Sequence, residues 1–169
     1  REASAVLLWS FADPRAPARR LRVGKPATAV VFSKTGRWLA TGSDSENVVS
    51  LWDLADPARA AIALPLGGAL GSGALGFTRD GKSLVAGSWT SAGSVRMWSM
   101  ESERPAPRPV HVCRQQGGVR GLAFSADGRY AVTGGSHAAV LWDLGAEDPC
   151  RSARPLQRRD RCVRARERQ

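Results

Sequence analysis

The chain has 169 residues, 43% of them hydrophobic, with 25 Lys and Arg against 15 Asp and Glu and a formal net charge of +10. That length is enough for one ordinary domain; no apolar run approaches a membrane span and no secretory signal is visible. The charge is concentrated: residues 1–149 carry 17 Lys and Arg against 13 Asp and Glu, whereas residues 150–169 carry 8 against 2. More than half of the excess thus sits on the last 20 residues, and the charge of the rest falls short of the clustered basic face that non-specific phosphate binding calls for. With 22 Arg among the 25 basic residues, and Ala, Gly and Pro abundant, GC-rich coding bias accounts for the excess without a ligand.

Short strand-like segments separated by turn residues follow one another along the chain. Ala5 to Trp9 is an apolar run ending in Trp, Asp13-Pro14 turns the chain, and Arg19 to Val23 reads as a short basic edge strand. A full set comes next: Ala27 to Phe32, a hairpin at Lys34 to Gly36, Trp38 to Thr41, Val48 to Trp52, a turn at Asp56-Pro57 and an outer strand near Ala61 to Leu66. The second set is Ala74 to Phe77, Ser83 to Ala86, Ser94 to Trp98 and Pro109 to Cys113. Its inner strand is expected to be weakened by the glycines of Gly67 to Gly73, because glycine packs nothing and loses more backbone entropy. The third set is Val119 to Phe124, Tyr130 to Thr133, Ala138 to Trp142 and a poor outer strand near Ala153 to Leu156. Val163 to Ala165 starts like a further inner strand, after which the pattern fails at Arg166 and Arg168, and the ending is expected to fray.

These sets are repeats. The phenylalanines closing the first segment, Phe32, Phe77 and Phe124, are 45 and 47 residues apart, and Trp9, Trp52, Trp98 and Trp142 are 43, 46 and 44 apart. Each Phe is followed by one turn pattern, read as FSKTGR, FTRDGK and FSADGR, whose Gly supplies the φ > 0 residue of a tight hairpin. The units close on LLWS, SLWD, RMWS and VLWD. A period in the forties with four short strands per unit is the pattern of a propeller blade.

On these motifs the chain, from Val6 to Asp148, resembles the WD-repeat β-propeller family, in divergent repeats of bacterial type. The resemblance implies an all-β partial β-propeller of three complete four-stranded blades plus parts of two flanking blades. Residues 1–26 end a first partial blade, 27–66, 67–113 and 114–158 are blades, and 159–169 begin a truncated blade or a disordered basic tail. With about 40 to 45 residues per blade and about four to eight blades to close a ring, the chain is expected to be a fragment of a longer protein that needs the remaining blades for closure. Trp9, Trp52, Trp98, Trp142, Phe32, Phe77 and Phe124 are then core residues.

Family members carry a Gly-His pair before the inner strand and an Asp in the turn before the third strand, hydrogen-bonded with a Ser or Thr and the Trp. Here the Asp position, six before the Trp, holds Glu46, Ala92 and Ser136, and no Gly-His pair precedes Phe32, Phe77 or Phe124. The expectation is of repeats that forgo these bonds and are held by apolar packing.

No catalytic, cofactor-binding or metal-ligating set emerges. His111 and His137 have no Cys or carboxylate at ligand or triad spacing and read as solvated. Cys113, Cys150 and Cys162 form no CxxC pair and are odd in number, so neither a disulfide framework nor a zinc site is expected. Asp53, Asp80, Asp127 and Asp143 recur at equivalent turn positions, where Asp serves backbone hydrogen bonds. The glycines of Gly71 to Gly76 lead into a strand, not the helix that a phosphate loop requires.

Function follows from the resemblance: a non-catalytic, cytoplasmic scaffold or sensor module that binds a protein or peptide partner, placed in bacterial proteins after a kinase, a NACHT-like ATPase or another effector domain. Two alternatives are the propeller part of a hydrolase or lyase whose catalytic residues lie outside this segment, and electrostatic nucleic-acid binding through Arg151 to Arg168. The partner contact is placed at the turn Ser88 to Gly93. Hairpin Gly to blade Trp spans 17 residues there, against 16 from Gly36 and 14 from Gly128, and Trp89 is a tryptophan on a polar loop. Trp89, Thr90 and Ser91 are the expected contacts, flanked by Ser43, Asp44, Glu46, Ser136 and His137. The competing expectation is that Trp89 folds back over the adjacent blade.

Overall fold

A computed structural model describes residues 4–56 and 58–156, and among these the chain is all β, with no helix. A hairpin of β1 (Ala5–Leu8) and β2 (Arg19–Arg22) comes first. Three antiparallel meanders follow, each with its strands in sequence order. The first is β3 (Ala29–Phe32), β4 (Trp38–Gly42), β5 (Val48–Asp53) and β6 (Ile62–Pro65). The middle one is β7 (Leu70–Phe77), β8 (Ser83–Ser88), β9 (Ser94–Ser99) and β10 (His111–Arg114). The third is β11 (Val119–Phe124), β12 (Tyr130–Gly135), β13 (Ala139–Asp143) and β14 (Arg154–Leu156). Parallel pairing of the inner strands β7 and β11, at Gly73 and Gly121, joins the last two meanders into one curled eight-stranded sheet. The arrangement is consistent with a partial β-propeller.

The hairpins form as their residue types dictate. Gly36, Gly81 and Gly128 have φ of 73°, 74° and 76°, values that L side chains rarely adopt. Inside each turn a hydroxyl replaces a missing ladder bond: Ser33, Thr78 and Ser125 accept the backbone N–H of Trp38, Ser83 and Tyr130 at 2.9–3.0 Å. Asp80 and Asp127 accept in turn from the Thr78 and Ser125 hydroxyls.

The glycine-rich run before Phe77 carries the irregular part of its strand, which pairs with β8 at Leu70 and again only from Leu75. From Leu70 it is part of β7, at eight residues the longest strand among the described residues, and its glycines are where the neighbouring backbone approaches. A Cβ on Gly71 would collide with the Val119 carbonyl oxygen, and one on Gly87 with the Val119 side chain. Missing side chains here permit the junction between meanders, and β7 shifts register against β8 between Leu70 and Leu75 to accommodate it.

Two apolar cores lie between successive meanders. Trp98 is fully buried in the first, with Leu51 and Leu64 of the first meander and Leu84 of its own. Trp142 fills the second, against Val85, Val95 and Met97 of the middle meander. Each such Trp contributes on the order of 1.5–3 kcal/mol by leaving water. Phe77 packs on the first core and Phe124 on the second, and the Phe124 ring lies over Gly76 of the preceding meander. Phe77, Trp98, Phe124 and Trp142 thus each cover the meander before their own.

That directionality corrects the expectation for Phe32 and Trp9, which are 57% and 64% exposed, while Trp52 is half-buried. Among the described residues the β1–β2 hairpin alone precedes the first meander, and two strands do not make the packed face that the other two meanders meet.

The cysteines also depart from expectation, since Cys113 and Cys150 form a disulfide, with Cα atoms 5.0 Å apart. It ties β10 of the middle meander to the segment between β13 and β14 of the third. The odd count concealed it; Cys162 falls outside the described residues, as do the strand start at Val163 to Ala165 and the tail beyond it. A bridge enclosing a loop of this size contributes roughly 2–4 kcal/mol.

Candidate functional site

The turn between β8 and β9 is held at both ends. Ser88 Oγ accepts the Ser94 N–H at 3.0 Å, and the Trp89 N–H donates to the Ala69 carbonyl at 2.6 Å. The Trp89 indole therefore leans toward the third meander, where the Arg120 guanidinium sits 3.7 Å from its ring centre, within cation–π range. Gly118 lies directly under the ring, where any Cβ would strike the indole. Gly117, at φ 78°, carries the His137 ring in the same way.

Glycine spacing stacks this turn on the segment 115–118 and on the turn of the third meander. A Cβ on Gly93 would meet the Gly117 carbonyl, and one on Gly135 the Gly118 carbonyl, while the Gln115 N–H donates to the Gly93 carbonyl at 3.0 Å. Between them opens a pocket of about 500 Å³, with Trp89, Thr90 and Ser91 on one side, Gln116 to Gly118 as floor, and Ser136 and His137 opposite. Trp89 and Thr90 are half-buried, and Ser91, Ser136 and His137 are exposed.

The structure brings together five of the eight expected contact residues. Ser43, Asp44 and Glu46 belong to a separate turn. Ser43 is buried, its hydroxyl accepting the Ser45 N–H at 3.2 Å and its carbonyl the Leu70 N–H at 3.3 Å. The Asp44 N–H donates to Thr28 Oγ1 at 3.1 Å, and the Glu46 carboxylate lies over Gly24. This turn is drawn toward residues 24–28, away from the pocket. Sequence reasoning missed Gln116, Gly117 and Gly118, although the Gly-Gly pair before β11 was a signal that backbone, rather than side chain, would form a floor.

Under the pocket a polar relay replaces the bonds expected to be missing. Trp142 Nε1–H donates to Thr133 Oγ1 at 2.8 Å, and the Thr133 hydroxyl donates to Gln115 Oε1 at 2.5 Å. Gln115 fills the receiving role expected of a Gly-His histidine, but its amide nitrogen is buried without a partner among the described residues. Trp52 Nε1–H likewise donates to Thr41 at 3.0 Å. In the middle meander the equivalent residue is Ala86, and Trp98 turns to the Pro107 carbonyl at 3.0 Å.

The recurrent aspartates serve the frame. Asp53 and Asp143 pair with Arg37 and Arg129 at 3.2 and 3.1 Å and accept the N–H groups of Ala55 and Gly145. Burial pushes the Asp53 carboxyl up, but the hydrogen bonds from Arg37 and Ala55 and the charges of Arg37 and Arg59 outweigh it and leave the pKa below its ordinary 3.8. The Arg129 hydrogen bond lowers that of Asp143.

Two segments, residues 20–53 and 107–143, match the family model described as WD domain, G-beta repeat. Both matches support a WD-repeat family. Each ends on the Trp-Asp pair that closes a third strand, and the second spans the Gln115–Thr133–Trp142 relay. No curated protein matches the chain.

Proposed function

We propose that this chain is a non-catalytic segment of a WD-repeat propeller, with blades over 27–66, 67–113 and 114–158, and that it presents the Trp89 pocket to a protein or peptide partner. The observation that carries this reading is the pocket itself, where the β8–β9, β10–β11 and β12–β13 connections converge through glycine contacts around a half-buried indole. Rigid aromatic area beside hydroxyls and backbone carbonyls suits a peptide carrying an apolar side chain, since few rotors are frozen when it binds. WD40 repeats generally act as protein-interaction scaffolds, which agrees with this use. On this reading the remaining blades of the parent chain close the ring and cover Phe32.

Selection of short peptides from a displayed random library on the wild-type chain, followed by titration against Trp89→Ala, tests the assignment. The expected result is a loss of affinity of at least tenfold with an unfolding midpoint close to wild type. Selected peptides that bind the variant equally well would overturn it. So would a stability loss of about 3 kcal/mol or more, the scale of a core aromatic truncation.

A further inference from the structure

Strand alternation puts His111 and Cys113 of β10 on one face, two residues apart. Asp148 and Cys150, also two apart, meet them from the segment between β13 and β14. Donor atoms of His111, Asp148 and Cys150 all lie within 4.8 Å of one another, and Cys113 is bonded to Cys150. We propose that on reduction of the disulfide these four residues form a tetrahedral site for a zinc ion, joining the two meanders that the disulfide joins when oxidised.

The donor set selects the ion. Two thiolates, an imidazole and a carboxylate match zinc, and the thiolates weigh against magnesium and calcium, which take oxygen ligands. Zinc–ligand bonds of about 2.0–2.3 Å place donors roughly 3.3–3.8 Å apart in a tetrahedron. His111, Asp148 and Cys150 need only draw in modestly from their present spacing, while Cys113 Sγ leaves bonding distance of Cys150 and turns toward the ion by side-chain rotation.

Support for the ligands is already in place. The Cys150 N–H donates to Asp148 Oδ1 at 2.9 Å, orienting the carboxylate. Arg151 pairs with Asp148 Oδ2 at 3.4 Å, but its side chain is 90% exposed and can swing into solvent when a cation arrives. Cys113 is buried, whereas His111 and Asp148 line an open cleft of about 680 Å³ through which an ion can reach the site.

The chemistry balances. A dithiol reductant delivers two electrons and two protons to the disulfide and leaves as its own disulfide. Zinc then displaces the two thiol protons to solvent as the thiolates coordinate. In a reducing compartment the metal is the cross-link, and in an oxidising one the disulfide is.

The test uses the full chain with Cys162→Ala, reduced with a phosphine, desalted without oxygen and titrated with cobalt(II). Expected are the intense visible bands of tetrahedral cobalt and a thiolate charge-transfer band, saturating at one equivalent, displaced by zinc and absent from the oxidised chain. His111→Ala and Asp148→Asn, which leave both cysteines intact, should each weaken zinc binding at least tenfold. The proposal fails if the reduced chain shows no such bands, if oxidised and reduced chains bind cobalt alike, or if both variants bind zinc as the parent does. Far-UV circular dichroism of the same samples separates loss of ligand from loss of fold.

Discussion

The middle and third meanders share a register but are held by different forces. In the third, Trp142, Thr133 and Gln115 form a buried hydrogen-bonded relay, and Arg129 pairs with Asp143 at the strand end. In the middle one Ala86 stands in place of the threonine and Ser99 in place of the aspartate, and Lys82 reaches only to Glu101 at 3.4 Å, on the open surface. The middle meander tolerates these losses because it is buried on both faces. Leu84, Ala86 and Trp98 pack toward the first core, and Val85, Val95 and Met97 toward the second. Among the described residues the middle meander has a packed neighbour on each side and draws its stability from that packing. The third, packed on the middle meander across the second core, adds the side-chain relay to that packing.

The sharpest test of that contrast is truncation of the repeated tryptophans. Trp98→Ala is expected to cost about 3–5 kcal/mol, and Trp52→Ala clearly less, because Trp52 is half-exposed. Denaturant unfolding of both variants measures the difference, and equal losses would break the comparison.

Removing the relay is the next largest effect. Thr133→Val strands the Trp142 N–H and the Gln115 carbonyl in a buried site, at a cost of about 1–3 kcal/mol. Ala86→Val in the middle meander breaks no hydrogen bond, so whatever it costs is a packing term, and the two melting curves should respond differently to a second substitution at Gln115. A smaller gain is expected at the position where the family pattern has Asp. Ser136→Asp offers the unpartnered Gln115 amide an acceptor and should stabilise by about 0.5–1.5 kcal/mol, read as a raised unfolding midpoint.

The smallest effect is on pH. The carboxyls of Asp53, Asp80, Asp127 and Asp143 all titrate below their ordinary 3.8 in the folded chain. Such groups contribute stability that is fully present above the unfolded-state value and is lost as pH falls through the folded-state values. Stability should therefore be flat from neutrality down to about pH 5 and decline below about pH 4. Asp143→Asn, which removes one of the four, should shallow that decline.

Much of the frame was legible in the residues. The three hairpin glycines, the Phe and Trp positions and the alternating strands are local features, and the structure places strands at or within a few residues of the expected segments. The site was legible in part. A tryptophan on the longest second turn pointed to the pocket, but the flanking turns were placed by analogy between repeats, and Ser43 to Glu46 lie elsewhere because that turn hydrogen-bonds to Thr28 and packs over Gly24 at the start of its own meander.

Repeat period, turn chemistry and strand faces were determined by the sequence alone, because φ > 0 at a glycine and two-residue alternation act over a few residues. Only the tertiary structure decided which apolar residues are covered, that Cys113 meets Cys150, and that the glycines of β7 admit the backbone of β11. Each of those outcomes depends on what the neighbouring meander presents across the gap, and no spacing within one repeat carries that information.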